Sequence, residues 1–379
     1  MLAQVVNVLY NVVDRIYIGQ MVGSLALTGV GVCMPLITIA SAFAMLVAAG
    51  GAPKAAIAMG AKDNDKAEKI MSNCLTATVA VGVILTTVLL IFNEQLLVLV
   101  GATSDSLGYA TEYMKIYSIG TIFVMTTLGM NMFITTQGYA KISMLTVIIG
   151  AGLNIVLDPL FIGVFNMGVA GAAWATVISQ AVSCIFVIVF LFGKKTILKL
   201  KFKNMRIDIR LVLSCIALGL SPFVMQVTEG ILQICFNVQL RFYGEMVGGN
   251  MDTIALGTMT ILSSVMQFSF LPLSGLTQGA QPIVSYNFGA GNSERVKKTF
   301  KYELISAFAY ASVIWVLVMA FPSLFAKIFV NSEDVFAGQI IELTSTALRI
   351  YMAVSLLFSM QMVCQQTFVS LGKAKISLF

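Results

Sequence analysis

Two aspartates interrupt stretches of sequence that are otherwise almost entirely apolar. Asp14 sits in Val12-Val-Asp-Arg-Ile-Tyr-Ile18, and Asp158 closes Leu153-Asn-Ile-Val-Leu-Asp158. A carboxylate at membrane depth costs at least about 2.5–3.5 kcal/mol on insertion scales, so each needs a partner that explains it. Asn7, Asn11 and Asp14 are spaced to share one helical face, and Asn154 stands one turn before Asp158. Arg15 is next to Asp14, but adjacent helical residues point in different directions. Pro159 withholds an N–H from the carbonyl of Ile155. Carboxylate, amide and freed carbonyl oxygens are the ligands a hard cation prefers. A second polar set, Gln226, Glu229, Gln233 and Asn237, lines a later span, where Glu229 either attracts a cationic substrate or is hydrogen-bonded at a helix contact. Glu229, Gln226, Gln233 and Asn11 are the candidates for a substrate cavity.

Other chemistry has no foothold. The chain has no histidine, which removes imidazole acid–base catalysis and histidine metal ligands. It has no phosphate-binding glycine loop and no nucleophile elbow. Its six cysteines are scattered, with no CxxC pair, and read as small buried hydrophobes. No catalytic residue is expected, and no cofactor beyond a coupling ion, Na⁺ or H⁺.

The elements that must hold these groups are membrane helices. Of 379 residues, 58% are hydrophobic and 11% charged, against about 25% charged in a soluble domain. Apolar runs long enough to span a bilayer centre near Val8, Ile39, Leu85, Met125, Ile155, Ser183, Leu232, Val265, Val313 and Leu357, with the start of another at Ile376. The net charge of +6 is not spread evenly. Lys62, Lys66, Lys69, Lys141, the run Lys194 to Arg210, Arg295, Lys297, Lys298, Lys301, Lys373 and Lys375 occupy alternate loops, and acids dominate the others. This alternation makes the basic loops and the N-terminus cytoplasmic. Its partners are the lipid bilayer and small molecules; no aromatic-interleaved basic groove points to nucleic acid.

The chain repeats itself. Gly19-Gln-Met-Val-Gly23 returns as Gly244-Glu-Met-Val-Gly248, Gly50-Gly-Ala-Pro53 as Gly279-Ala-Gln-Pro282, and Gly60-Ala61 as Gly289-Ala290. Gly138-Tyr-Ala-Lys-Ile-Ser143 returns as Gly372-Lys-Ala-Lys-Ile-Ser377, and the offset stays at about 225 to 234 residues throughout. Six spans per copy return the chain to the same side, so the copies run parallel, as in transporters with a central site. The expected fold is an all-α integral membrane protein of two pseudo-symmetric six-helix lobes, twelve helices in all and truncated here at both ends. The expected domains are an N-terminal lobe over 1–193, a basic cytoplasmic linker over 194–210 and an incomplete C-terminal lobe over 211–379. In this register Asp14 pairs with Gln239, which cannot titrate, so the acidic pair belongs to the first copy alone.

Four motifs extend the reading: Asn11-Val-Val-Asp-Arg-Ile-Tyr-Ile-Gly19, Leu153-Asn-Ile-Val-Leu-Asp-Pro159, Gly168-Val-Ala-Gly-Ala-Ala-Trp-Ala-Thr176 and Gly275-Leu-Thr-Gln-Gly-Ala-Gln-Pro-Ile-Val-Ser-Tyr-Asn-Phe-Gly-Ala-Gly291. Here the chain resembles the multidrug and toxic compound extrusion (MATE) family, in its MepA-like branch, over essentially its whole length. The resemblance implies an antiporter that exports organic, mostly cationic amphipathic drugs against entry of Na⁺ or H⁺ by alternating access. It implies a monomer in a bacterial inner membrane. It also implies a cation site of Asp14, Asn154, Asp158 and Thr176, adding Thr176 to the residues read above. Some members carry an acid in the tenth helix; this chain shows Gln361, Gln365 and Gln366 there. Two alternatives remain: a flippase for lipid-linked sugars, which would line its cavity with cations, and a membrane-embedded enzyme, which would cluster catalytic groups near one face.

Overall fold

Long apolar runs satisfy their backbone in a bilayer only as helices or closed barrels, and the regular elements of the described residues are all helical. The computed structural model describes residues 14, 17–18, 21–22, 24–102, 104–248, 251–329, 337–373 and 375–376. Its helices are α1 (Ser24–Gly60), α2 (Asn64–Ile91), α3 (Asn93–Leu99), α4 (Ser104–Thr136), α5 (Ala140–Asp158), α6 (Gly168–Phe192), α7 (Ile209–Val247), α8 (Met251–Gly289), α9 (Ser293–Ala320), α10 (Pro322–Phe329), α11 (Ala337–Tyr351) and α12 (Ser355–Ser370). Among the described residues seven helices are long and apolar enough to cross a membrane, or eight if the bent pair α11–α12 counts as one. The expected span around Val8 lies outside the described residues.

The sequence repeat is legible in the backbone. Helices α2 and α9 are both 28 residues long, and α1 and α8 end at the equivalent glycines Gly60 and Gly289. Gly138 and Gly372, which follow α4 and α12, both turn with positive φ, at 86° and 71°. The copies differ in one element. Helix α4 runs unbroken for 33 residues, whereas its counterpart is split into α11 and α12 with a 48° bend.

Contacts divide the chain into two compact units. The larger comprises 2–227, 281–293 and 368–379, and the smaller contains 228–280 and 294–367. In the larger, one apolar cluster joins Val30, Leu36, Met114, Ile162 and Ala172. A second joins Met71, Phe133, Leu191, Leu198 and Val212. In the smaller, Val265, Val318 and Leu348 form one cluster and Leu273, Ala307 and Val363 another.

At one end of the larger unit α1 crosses the last turns of α8 with no room for a side chain. A Cβ on Gly60 would lie 1.9 Å from the carbonyl oxygen of Tyr286, and a Cβ on Gly289 would lie 1.9 Å from that of Ile57. Ile57 and Tyr286 are themselves equivalent positions of the repeat. The contact is therefore reciprocal: each copy offers a glycine to the other's carbonyl.

The basic segment after α6 is a docked strap. Leu198 and Leu200 are buried in the second cluster. The N–H of Leu198 donates to Gln137 Oε1 (2.9 Å), that of Lys199 to Glu68 Oε1 (3.1 Å) and that of Asp208 to Asn73 Oδ1 (2.7 Å). Asn73 Nδ2 also donates to the carbonyl of Asn204 (3.0 Å). Lys69 pairs with Asp208 at 2.8 Å and Lys201 with Glu68 at 2.5 Å. Lys69, then the Leu211 N–H, hold the Asp208 carboxyl below its ordinary range. Glu68 beside Lys201 pushes that ammonium above its ordinary range. A depressed carboxylate loses its contribution as pH falls through its folded value, and a raised ammonium loses its own as pH rises through its folded value. The strap is thus held most firmly between the carboxylate and lysine ranges. Protection of the Lys199 and Asp208 amides from hydrogen exchange, taken relative to the intrinsic rate at each pH, is expected to be greatest near neutral pH and to fall at both extremes. Asn73→Ala is expected to cost about 1–3 kcal/mol, the typical toll of stranding buried partners, and to free the Asp208 amide at every pH.

Candidate functional site

The expected cation ligands converge in the larger unit. Helix α5 places Asn154 and Asp158 one turn apart, and Asn154 Nδ2 donates to Asp158 Oδ1 (3.2 Å) and to Thr176 Oγ1 on α6 (3.4 Å). The carboxyls of Asp14 and Asp158 lie within hydrogen-bonding range of each other. All four side chains are buried: Asp14 is 5% exposed, Asn154 1%, Asp158 0% and Thr176 8%. Among the described residues, Asn154 Oδ1 and Asp158 Oδ2 are buried acceptors with no hydrogen-bond partner.

The backbone around Asp158 explains how the carboxylate is presented. The α-helix stops at Asp158, and Pro159–Val164 continues as a π-helical turn. Proline cannot donate to the preceding turn, and a wider turn is one way for the chain to proceed without breaking. Gly171 on α6 makes space for it: a Cβ there would sit 2.9 Å from the carbonyl carbon of Phe161. The glycine of the Gly168–Thr176 motif thus lets α6 approach closely enough to bring Thr176 to Asn154.

Beside the acids is a cavity of about 170 Å³, lined by Asp14, Thr176, Tyr113, Tyr117, Ser41 and Gln180 among others. Tyr113 and Tyr117 stack one turn apart on α4, with ring centroids 6.0 Å apart, and the Tyr113 hydroxyl is within hydrogen-bonding range of Thr176. Sequence reasoning missed this pair. The only signal was two tyrosines at i, i+4 in an apolar span, a spacing that also suits ordinary packing.

The proposed substrate-cavity residues are less concentrated. Asn11 and the side chain of Gln233 lie outside the described residues. Gln226 is half-buried on the part of α7 in the larger unit and does not line the cavity. Glu229 belongs to the smaller unit and is exposed.

Two carboxyls in contact, out of water, cannot both stay charged without a neutralising species between or upon them. With two orphaned acceptor oxygens and a threonine hydroxyl alongside, the donor set suits a proton or a small hard cation. Nothing in it suits nucleophilic or redox chemistry.

The family model described as MatE matches residues 1–160 and 230–379. The chain belongs to the MatE family. MatE membership makes it a multi-pass membrane transporter rather than an enzyme. Among its relatives, the multidrug export protein MepA of Staphylococcus haemolyticus strain JCSC1435 is 27% identical over 350 residues, covering 92% of this chain and 75% of the relative. MepA of Staphylococcus aureus strain MSSA476 is 26% identical over 350 residues, covering 92% and 76%. A crystal structure of MATE in complex with MaL6 superposes with a TM-score of 0.89 at 25% identity, covering all of this chain and 82% of the other. The expectation of a MATE-type helical transporter is therefore met.

Proposed function

We propose that this MatE protein is a multidrug efflux antiporter, exporting organic, mostly cationic amphipathic compounds in exchange for Na⁺ or H⁺ by alternating access. The observation that carries the reading is the buried oxygen cluster of Asp14, Asn154, Asp158 and Thr176, with its two unmet acceptors beside a cavity walled by stacked tyrosines. Aromatic faces attract cations and tolerate varied shapes, which fits the multidrug export ascribed to the relatives by name. The coupling ion would neutralise the acid pair, with Asn154 orienting the Asp158 carboxyl. Such an ion drives the cycle by binding one arrangement of the helices more tightly than the other. The basic loops put the N-terminus in the cytoplasm of a bacterial cell whose inner membrane the protein crosses as a monomer.

The test is ethidium efflux from vesicles holding the protein, under separately imposed Na⁺ and pH gradients. Efflux that follows one gradient and collapses with it is the expected result. Efflux indifferent to both gradients, or none from vesicles in which the protein is folded, overturns the proposal.

A further inference from the structure

Besides Asp14, Asp158 and the strap-binding Glu68, one more acid is buried. Glu303 lies on α9 in the smaller unit, 5% exposed, and its Oε1 has no hydrogen-bond partner among the described residues. Among the described residues no lysine or arginine pairs with it. Ala307 and Ala311, one and two turns along the same helical face, pack into an apolar cluster with Leu273 of α8 and Val363 of α12. Within the smaller unit, the titratable groups of those two partner helices are Asp252, at the far end of α8, and Cys364 on α12. On α9 itself Tyr310 is two turns along, and the cations Arg295, Lys297, Lys298 and Lys301 lie toward the helix start.

Packing does not require an acid here. The equivalent position in the first copy is Cys74, fully buried in the matching helix α2. The second copy has a carboxyl where the first has a thiol. An ionised carboxylate with no partner is costly at this depth. A hard cation needs several oxygen ligands, and among the described residues none is hydrogen-bonded to Glu303 Oε1. The neutralising species that fits is a proton. Its exit is short: Glu303 is about 15 Å along the helix from Ser293, at 1.5 Å per residue, and Lys298, Lys301 and Tyr302 are already exposed.

We propose that Glu303 is a second proton-binding site of the transport cycle, independent of the Asp14–Asp158 pair. It holds a proton while buried as here and releases it to water at the Lys297–Lys301 end of α9 when the helices rearrange.

The test uses the full chain in proteoliposomes. Glu303→Gln and Glu303→Met are expected to move one proton fewer per turnover than the wild type and to lose part of the pH dependence of transport. An unchanged proton count with an unchanged pH profile overturns the assignment. Should neither variant fold, the wild type is treated with dicyclohexylcarbodiimide, which reacts with protonated membrane carboxyls, and modified residues are located by mass spectrometry. Modification of Glu303 that declines as the medium turns alkaline supports the proposal. No modification at Glu303 in a sample where Asp14 or Asp158 is modified, or modification indifferent to pH, overturns it. This readout needs no drug substrate, so it stands apart from whether the protein exports drugs.

Discussion

Asp14→Asn will abolish ion-driven efflux while leaving the protein folded in the membrane, and Asp158→Asn will do the same. Asparagine keeps the shape and one acceptor oxygen of aspartate but cannot bind a proton or balance a cation. Removing one charge from a buried, mutually dependent set typically costs about 3–5 kcal/mol, or about two to three and a half powers of ten in ion affinity. The two substitutions act on one pair, so the double variant is expected to be hardly worse than either single one. Efflux measured under Na⁺ and pH gradients decides the matter, with substrate binding in detergent as the check on folding. Coupled efflux that persists in either variant would remove that residue from the ion site.

The second large effect falls on packing. Gly60→Ala and Gly289→Ala each drive a methyl group to 1.9 Å from a backbone carbonyl oxygen, and a backbone cannot swing aside as a long side chain can. Overpacking of this kind costs about 1–3 kcal/mol or more, which should appear as a lowered midpoint in thermal unfolding. Gly279 provides the control. It is on the same helix as Gly289, with nothing within 4 Å of an added Cβ, so Gly279→Ala should be neutral or stabilising by up to about 1 kcal/mol. Once one substitution has forced α1 and α8 apart, the other meets less resistance, and the double variant should cost less than the two single costs together. If Gly60→Ala melts no lower than Gly279→Ala, the close crossing is wrong.

Much of this architecture was legible in the sequence because the bilayer allows so few solutions. Continuous apolar runs implied helices, and the recurring glycine motifs implied a repeat, whose equivalent helix ends are now seen at Gly60 and Gly289. Asp14, Asn154 and Asp158 stood out because polar groups in apolar runs are rare, and the Leu153–Pro159 spacing already placed two of them on one face. Thr176 came only through the family resemblance, since a threonine in an apolar helix is unremarkable. The π-helical turn was half visible: Pro159 signalled a lost hydrogen bond, but whether a helix kinks or widens there depends on what packs against it, here the space left by Gly171. That the basic linker docks as a strap was not legible, because its hold comes from Asn73 and Gln137, residues far away in sequence. Glu303 was passed over for a related reason. Two residues beyond Lys301, it reads as one more charge near a helix end, and only burial shows that no cation reaches it.

The reciprocal crossing of α1 and α8 bears on the history of the chain. A surface in which a glycine meets a carbonyl and the twin glycine meets the twin carbonyl is its own complement, the property that lets two identical subunits pair about a two-fold axis. A half-length ancestor would have recognised a second copy of itself through this surface, and each mutation there would have struck both sides together. Within one chain the two sides can change separately. Cys74 and Glu303 show the result: the same place in a repeated scaffold holds two different chemistries.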